Sequence, residues 1–459
     1  MLSKKIIKLL EKDIGQKNIF TDANTLKKHS KDWSFHNSSL PDLVIFPKTT
    51  KDVSKTLKIA NKYSIPVTCW GGGSSLEGNP IPVKGGIVLD MTKMNKILKI
   101  YKDDLQTKVQ PGIIGDELNK KLKKYNLFFP AAPGSSHLAT IGGMVANNAG
   151  GMNAIKYGVV GDWILELELV LTDGQIIRTG SRSVKSVSGY DLKRLFIGSE
   201  GTLGIITEIV LRLAPIPENK IAILVAFENI SDTTKAVLEI LKSNLNTAAI
   251  EYMDKAYIKY VNIAKNISLP EKPTLVIEFH GNKEINLLCL KKIIKICKNT
   301  KGIFYKEFKT TDELKLLWQY RRAVRPVLNK ILPNKGVLSA EIGIPISEVE
   351  NFLKKAEILS KKYKLETVMF GHIGDGNFHG WALYDLDNKK SWNQVEKLNE
   401  ELINFAIKND GTTTGEHGIG IGKRKFLAIE HPTSFYIMKK IKGLLDPKGI
   451  LNPGKIFYE

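Results

Sequence analysis

The sequence predicts an α+β protein with two principal folded parts, and three observations carry that prediction. A short strand–helix–strand unit, Asp42 to Cys69, runs straight into a glycine-rich loop. Strands and one hairpin then continue to Leu213, after which Pro215 and Pro217 punctuate the chain and mark a domain boundary. Beyond them, strands alternate with long amphipathic helices, the pattern of an antiparallel sheet covered by helices on one face.

Each element follows from local pattern. DLVIFP (Asp42 to Pro47) and PVTC (Pro66 to Cys69) are short apolar strands. Between them, Thr50 to Lys62 places Val53, Leu57 and Ile59 at helical spacing after a threonine start. GIVLD (Gly86 to Asp90) and QTKVQ (Gln106 to Gln110) are further strands, and Ile113 to Tyr125 reads as a helix. Gly134 to Gly158 is rich in glycine and asparagine and has no period, which points to function rather than connection. LELELVL, the Asp173-Gly174 turn and Gln175 to Arg178 form a β-hairpin, and Gly204 to Leu213 is a strand. AILVAF, TLVIEF and LSAEIGI are strands of the second part, with helices over Thr233 to Ser243 and Ile285 to Lys298.

Composition narrows the class. With 459 residues, 42% hydrophobic and 25% charged, the chain builds its core without disulfides or structural metals. Cys69, Cys289 and Cys297 form no CxxC pair, and so sparse a set fits a reducing compartment. The basic N-terminus is interrupted by Lys8 and lacks a signal-peptide core, so the expected location is the cytoplasm, with peripheral membrane association open. The net charge of +21 is mostly lysine spread along helix faces such as KKLKKYN, without a nucleic-acid-binding signature.

Six segments carry the chemistry. PVTCWGGGSSLEGNP (Pro66 to Pro80) sets three glycines after a strand, where backbone N–H groups can point at a phosphate. It is neither a Rossmann fingerprint nor a P-loop, and on its residues alone it fits a flexible surface loop equally well. PGSSHLATIGGMVANNAGG (Pro133 to Gly151) is a second donor-rich run, and the two together suit a cofactor with a pyrophosphate. IGSEGTLGIITEIVLRLAP (Ile197 to Pro215) leads its glycines into a strand. GHIGDGNFHG (Gly371 to Gly380) and GTTTGEHGIG (Gly411 to Gly420) hold three of the chain's eight histidines, His372, His379 and His417, with Glu416 beside the last. Histidines and a carboxylate together describe a catalytic metal centre. WQYRR (Trp318 to Arg322) offers a guanidinium fork suited to a carboxylate.

The first three segments, in this order, resemble the flavin domain of the vanillyl-alcohol oxidase type, also called the PCMH-type FAD domain, over about Leu40 to Pro215. The resemblance implies a two-subdomain FAD-binding domain. It assigns Gly71, Gly72, Gly73, Ser74 and Ser75 to the phosphates. Pro133, Gly134, Thr140, Gly142, Gly143, Asn147, Gly150, Glu200 and Ile206 fall to the rest of the cofactor. The first loop has no histidine, so non-covalent FAD is expected.

The later bursts, with DPKGILNPGK (Asp446 to Lys455), resemble the C-terminal half of the FAD-linked D-lactate dehydrogenases and their relatives acting on glycolate and D-2-hydroxyglutarate. That resemblance implies a divalent metal, zinc or manganese, on His372, His379 and Glu416. It implies His417 as general base, Arg321 as carboxylate clamp and Asn452 near the flavin. The expected reaction is oxidation of a D-2-hydroxy acid, D-lactate foremost, to the 2-keto acid with hydride passing to flavin N5. The electrons would go on to a cytochrome, a quinone or an electron-transferring flavoprotein, and no nucleic-acid partner is expected. Relatives acting on D-2-hydroxyglutarate carry asparagine where this chain has Trp381, which argues for a short substrate side chain. A non-redox FAD enzyme like the alkyl-dihydroxyacetone-phosphate synthases is the alternative. The expected divisions are a helical lead-in (1–39), the FAD domain (40–216), a substrate or cap domain (217–410) and a C-terminal segment returning to the flavin (411–459).

Overall fold

The computed structural model describes residues 2–458 and divides into two compact units. The first comprises 1–151, 159–216 and 416–459; the second comprises 152–158 and 217–415.

The first unit contains a four-stranded sheet in the order Ile19–Phe20, Leu43–Ile45, Ile87–Asp90, Val67–Trp70. The last three strands run parallel, and Ile87–Asp90 lies between the two predicted strands of the strand–helix–strand unit. The connecting helix Thr50–Tyr63 starts one residue after Thr49, whose hydroxyl accepts the Asp52 amide while the Asp52 carboxylate accepts back from Thr49. It buries Val53, Leu57 and Ala60 in one core with Leu10 and Ile14 from the N-terminal helix Lys4–Ile14. Residues 1–39 are therefore part of this unit and include the edge strand Ile19–Phe20, because an amphipathic helix this short needs a core to pack on. Ile450 and Leu451 join the same core, where Val67 donates to the Ile450 carbonyl (2.7 Å) and accepts from the Asn452 amide (2.8 Å).

The second sheet of this unit is antiparallel, in the order Ile97–Tyr101, Gln106–Val109, Ile205–Arg212, Ile164–Val170, Ile176–Gly180. Its hairpin turns at Gly174, whose φ of +82° suits glycine. The glycine-rich run is not wholly irregular. It contains the short helix Ile141–Asn147, begun by the Thr140 hydroxyl accepting from Gly143 and ended by Asn148 in the left-handed region. Two glycines in its first turn masked the helical pattern.

The second unit is built on a seven-stranded antiparallel sheet in the order Gly302–Phe308, Asn219–Phe227, Thr274–Gly281, Thr247–Met253, Thr367–His372, Asn377–Asp385, Lys335–Gly343. Helices cover both faces, not one. Every residue of Thr247–Met253 is buried, which a half-solvated sheet would not allow. Helices Lys255–Lys265 and Thr311–Ile331 pack on one side, and Phe352 of helix Val349–Tyr363 meets Phe378 on the other, 5.5 Å between ring centres. Residues 411–415 belong to this unit rather than to the C-terminal segment, since Gly343 and Thr412 exchange backbone hydrogen bonds of 2.9 and 3.1 Å.

Asp254 ties helix Lys255–Lys265 to this sheet by accepting from the amides of Tyr257 (2.6 Å) and Met369 (2.8 Å). Burial pushes its carboxyl up to about 7 from 3.8, against the pull of those two amides. Between about pH 4 and pH 7 the folded state keeps a proton that the unfolded chain has released. The stability this contributes is full at low pH and is lost as pH rises through 7. The thermal midpoint of Asp254→Asn, followed by circular dichroism from pH 4 to 8, should therefore decline less with rising pH than that of the parent.

Candidate active site

A cavity of about 330 Å³ opens in the first unit. Gly71, Gly72, Gly73, Ser74 and Ser75 line it, followed by Pro133, Gly134, Thr140, Gly142, Gly143 and Asn147, then Glu200, Ile206 and Asn452. Glu416 and His417 line it too. Of the residues assigned to the cofactor, Gly150 alone is not part of this wall; it lies beside Glu416, whose Oε2 is 3.5 Å from where a Cβ on Gly150 would sit.

The glycines of the first loop admit close approach of backbone to backbone. A Cβ on Gly72 would strike the Leu138 carbonyl, and one on Gly71 would stand 2.5 Å from the Thr140 hydroxyl. Three chain segments thus meet around one slot. Among the described residues, Glu200 and Glu416 are the only acidic ones on its wall, and neither lies at the glycine–serine end, where a carboxylate would repel a pyrophosphate. The donor set fits FAD.

Glu200 itself is turned into the protein. Its carboxylate accepts from the amides of Ile419 (2.7 Å) and Gly420 (2.9 Å) and from Asn79 Nδ2 (2.5 Å). Burial raises its pKa, against the pull of these donors and of the Lys455 charge. Asn147 Nδ2 donates to the His417 carbonyl at 2.9 Å. Asn452 Nδ2 donates to the carbonyls of Glu200 (2.7 Å) and Asn79 (3.0 Å). The stretch carrying Glu416 and His417 is therefore fixed to the cavity wall by backbone hydrogen bonds.

In the second unit, His372 and His379 sit on adjacent antiparallel strands with ring centres 5.2 Å apart and planes at 82°. The register pairs Phe370 with His379, which puts both imidazoles on one face. His372 Nδ1 is hydrogen-bonded to Glu251, and Arg321 Nε donates to the other oxygen of that carboxylate at 2.9 Å. Glu251 is fully buried. Burial alone would raise its pKa, but the charges and hydrogen bonds of His372 and Arg321 prevail and hold it at about 2. Arg321 also lies 3.4 Å from the Tyr257 hydroxyl, with its guanidinium carbon 4.4 Å from the centre of the Phe370 ring. Trp381 stands edge-on to Phe370 at 4.6 Å and stacks on Tyr257.

Glu251 was missed from sequence, and its signal was a lone carboxylate within the buried strand TAAIEYM. Glu341, within LSAEIGIP, is a second buried carboxylate, to which the sequence alone assigned no role. Fully buried, it accepts from Asn377 Nδ2, the Thr414 hydroxyl (2.7 Å) and the Gly415 amide (2.5 Å). Trp33 also lines the cavity without any motif to announce it, and Trp70 and Asn79, inside the first glycine-rich segment, line it beside the glycines.

Residues 41–180 match the FAD binding domain family, and 216–456 match the FAD linked oxidases, C-terminal domain. The chain is 35% identical to a mitochondrial D-lactate dehydrogenase [cytochrome] of Arabidopsis thaliana, over 97% of this chain and 79% of the relative. It is 36% identical to a glycolate oxidase subunit of Bacillus subtilis, over 100% of this chain and 97% of the relative. A D-2-hydroxyglutarate dehydrogenase of Stutzerimonas stutzeri is 29% identical over 96% of each. Among solved structures, alkyldihydroxyacetonephosphate synthase superposes with a TM-score of 0.79 at 20% identity, over 99% of this chain and 85% of that one. Substrate-bound p-cresol methylhydroxylase does so with 0.79 at 19% identity, over 98% and 96%. These likenesses define the fold as the PCMH-type flavoprotein fold. The chain belongs to the FAD-linked oxidase family and is an FAD-dependent oxidoreductase.

Removing a buried ion's partner costs more than the pair itself contributes. Glu251→Ala is therefore expected to lose about 3 kcal/mol of stability in urea unfolding. Glu251→Gln, which keeps the shape and one acceptor, should lose less than half of that.

Proposed function

We propose that this enzyme oxidises a D-2-hydroxy acid, D-lactate foremost, to its 2-keto acid. The observation that carries the proposal is the His372–Glu251–Arg321 chain. A buried carboxylate orients an imidazole through Nδ1, which leaves Nε2 as the nitrogen that would meet a metal, and it also holds a guanidinium. A histidine fixed in this way suits a ligand, and an arginine held beside it suits a carboxylate substrate. The names of the full-length relatives, D-lactate dehydrogenase and glycolate oxidase, support the same class.

FAD, held non-covalently by the glycine-lined cavity, supplies the two-electron acceptor when bound. The residues present would hold a divalent ion, zinc or manganese, through His372, His379 and Glu416, and its charge would stabilise a developing alkoxide. Glu416 suits that part because it directly follows Gly415, whose amide Glu341 pins.

The remaining work belongs to the chain. Arg321 pairs with the substrate carboxylate through its terminal nitrogens, since Nε is committed to Glu251. His417 accepts the hydroxyl proton; an imidazole, whose ordinary pKa is about 6.5, suits that task near neutral pH. Phe370 and Trp381 form an apolar pair beside Arg321, and such bulk favours a short substrate side chain. The names of two relatives point to a cytochrome as the onward electron acceptor.

Anaerobic addition of D-lactate should bleach the flavin absorbance, with L-lactate inert and D-2-hydroxyglutarate slower. A flavin left oxidised by every 2-hydroxy acid in such a panel defeats the proposal and favours a non-redox flavoenzyme. His417→Ala should retain FAD and lose reduction by at least about a hundredfold, the usual scale of general-base removal. Chelation followed by elemental analysis should remove one ion and the activity together, and readdition of zinc or manganese should restore both.

A further inference from the structure

The C-terminal helix Phe435–Leu445, FYIMKKIKGLL, has no buried residue and no acidic one. Its inner side is accounted for. Ile441 and Leu445 pack against the first unit's core, Phe435 meets Phe457 at 5.8 Å, and Lys442 donates to the carbonyls of Thr202 (2.8 Å) and Leu451 (2.9 Å). Its outer side is apolar as well. Tyr436, Ile437 and Leu444 are 62%, 52% and 79% exposed. At 100° per residue they fall, with Lys440, within an arc of about 100°, one continuous stripe. Lys439 is exposed beside that stripe, and Lys440 reaches across the Tyr436 ring, 4.5 Å from its centre.

A surface helix normally turns charge toward water. This one turns a tyrosine, an isoleucine and a leucine outward and edges them with lysines, the composition of a helix seated at a lipid interface. We propose that this face docks the enzyme onto an anionic membrane surface, with Tyr436, Ile437 and Leu444 entering the headgroup layer and Lys439 and Lys440 meeting lipid phosphates. The chain's net charge of +21 gives the long-range attraction. A two-fold contact between copies would bring the lysines of one helix close to those of the other, which disfavours a second copy as the occupant. The stripe lacks Asn, Gln, Ser and acidic side chains, so apart from the tyrosine hydroxyl its polar groups are lysine ammoniums, which suit phosphate more than a specific protein partner.

The test is co-sedimentation of the FAD-loaded enzyme with vesicles of phosphatidylcholine, alone or with one third phosphatidylglycerol, at low and high salt. Binding should require phosphatidylglycerol and weaken with salt. It should fall about tenfold or more in Lys439→Glu/Lys440→Glu and in Ile437→Ser/Leu444→Ser. Flavin absorbance reports whether each variant is folded. Hydroxyl-radical footprinting of the unaltered protein needs no variant, and vesicles should lower the labelling of Tyr436, Ile437 and Leu444. Equal binding to neutral vesicles, unchanged labelling, or a dimer in solution that these substitutions dissolve would each overturn the proposal.

Discussion

Glu251 is a carboxylate placed where a strand should carry an apolar side chain, and the polar centre of the second unit is arranged around it. Taking a carboxylate out of water costs several kcal/mol unless charge and hydrogen bonds replace the lost solvent. Here both oxygens are engaged, one by His372 and one by Arg321. The cost of burial is thereby turned into geometry, because neither partner can swing away without leaving the carboxylate unsatisfied in the core. His372 is fixed at Nδ1, so its free choice of rotamer and tautomer is gone. Arg321 is fixed at Nε, so its terminal nitrogens present a fork of fixed direction. The antiparallel register then brings His379 to the same face. One acidic residue thus orders two side chains from two other elements, and the strand register adds the third.

The glycine-rich segments obey a different constraint, steric rather than electrostatic. In the first unit they let backbone meet backbone where any side chain would intrude, as Gly72 does against Leu138. Their small size also exposes main-chain groups at the glycine–serine end of the cavity, which is what a phosphate-bearing cofactor needs. The same substitution of backbone for side chain hid the helix Ile141–Asn147, whose apolar period two glycines interrupt.

What was legible in the sequence and what was not follows from these two constraints. The glycine loops, the paired histidines and the proline boundary are signals of composition along the chain, and residues such as Gly71, Thr140, Asn147, Asn452 and Glu416 do line the cavity. The strands were legible because their apolar runs are short and bounded. The order of strands was not, since inserting Ile87–Asp90 between its neighbours leaves no local trace. Nor was the covering of both sheet faces, which depends on helices distant in sequence. Glu251, and the role of Glu341, were hidden for the same reason. A carboxylate's partners are set by tertiary contact, and in the sequence each is only an acid among apolar neighbours.

The run GTTTGEHGIG shows how both constraints act on one stretch. On its N-terminal side, Glu341 takes the Gly415 amide, and a Cβ on Gly415 would collide with Asn377. On its C-terminal side, Glu200 takes the amides of Ile419 and Gly420, and a Cβ on Gly420 would collide with the Glu77 carbonyl. Gly418 and Gly420, with φ of +84° and +48°, bend the chain as few other residues would tolerate. Glycine therefore lets the backbone come close enough for a buried glutamate to grip it, on both sides of Glu416 and His417. Glu416 and His417 are thus carried on main chain that is hydrogen-bonded before and after them. A loop held only by its own side chains would leave them to sample many positions. Here the course of the main chain at Glu416 and His417 is decided by the amides that flank them.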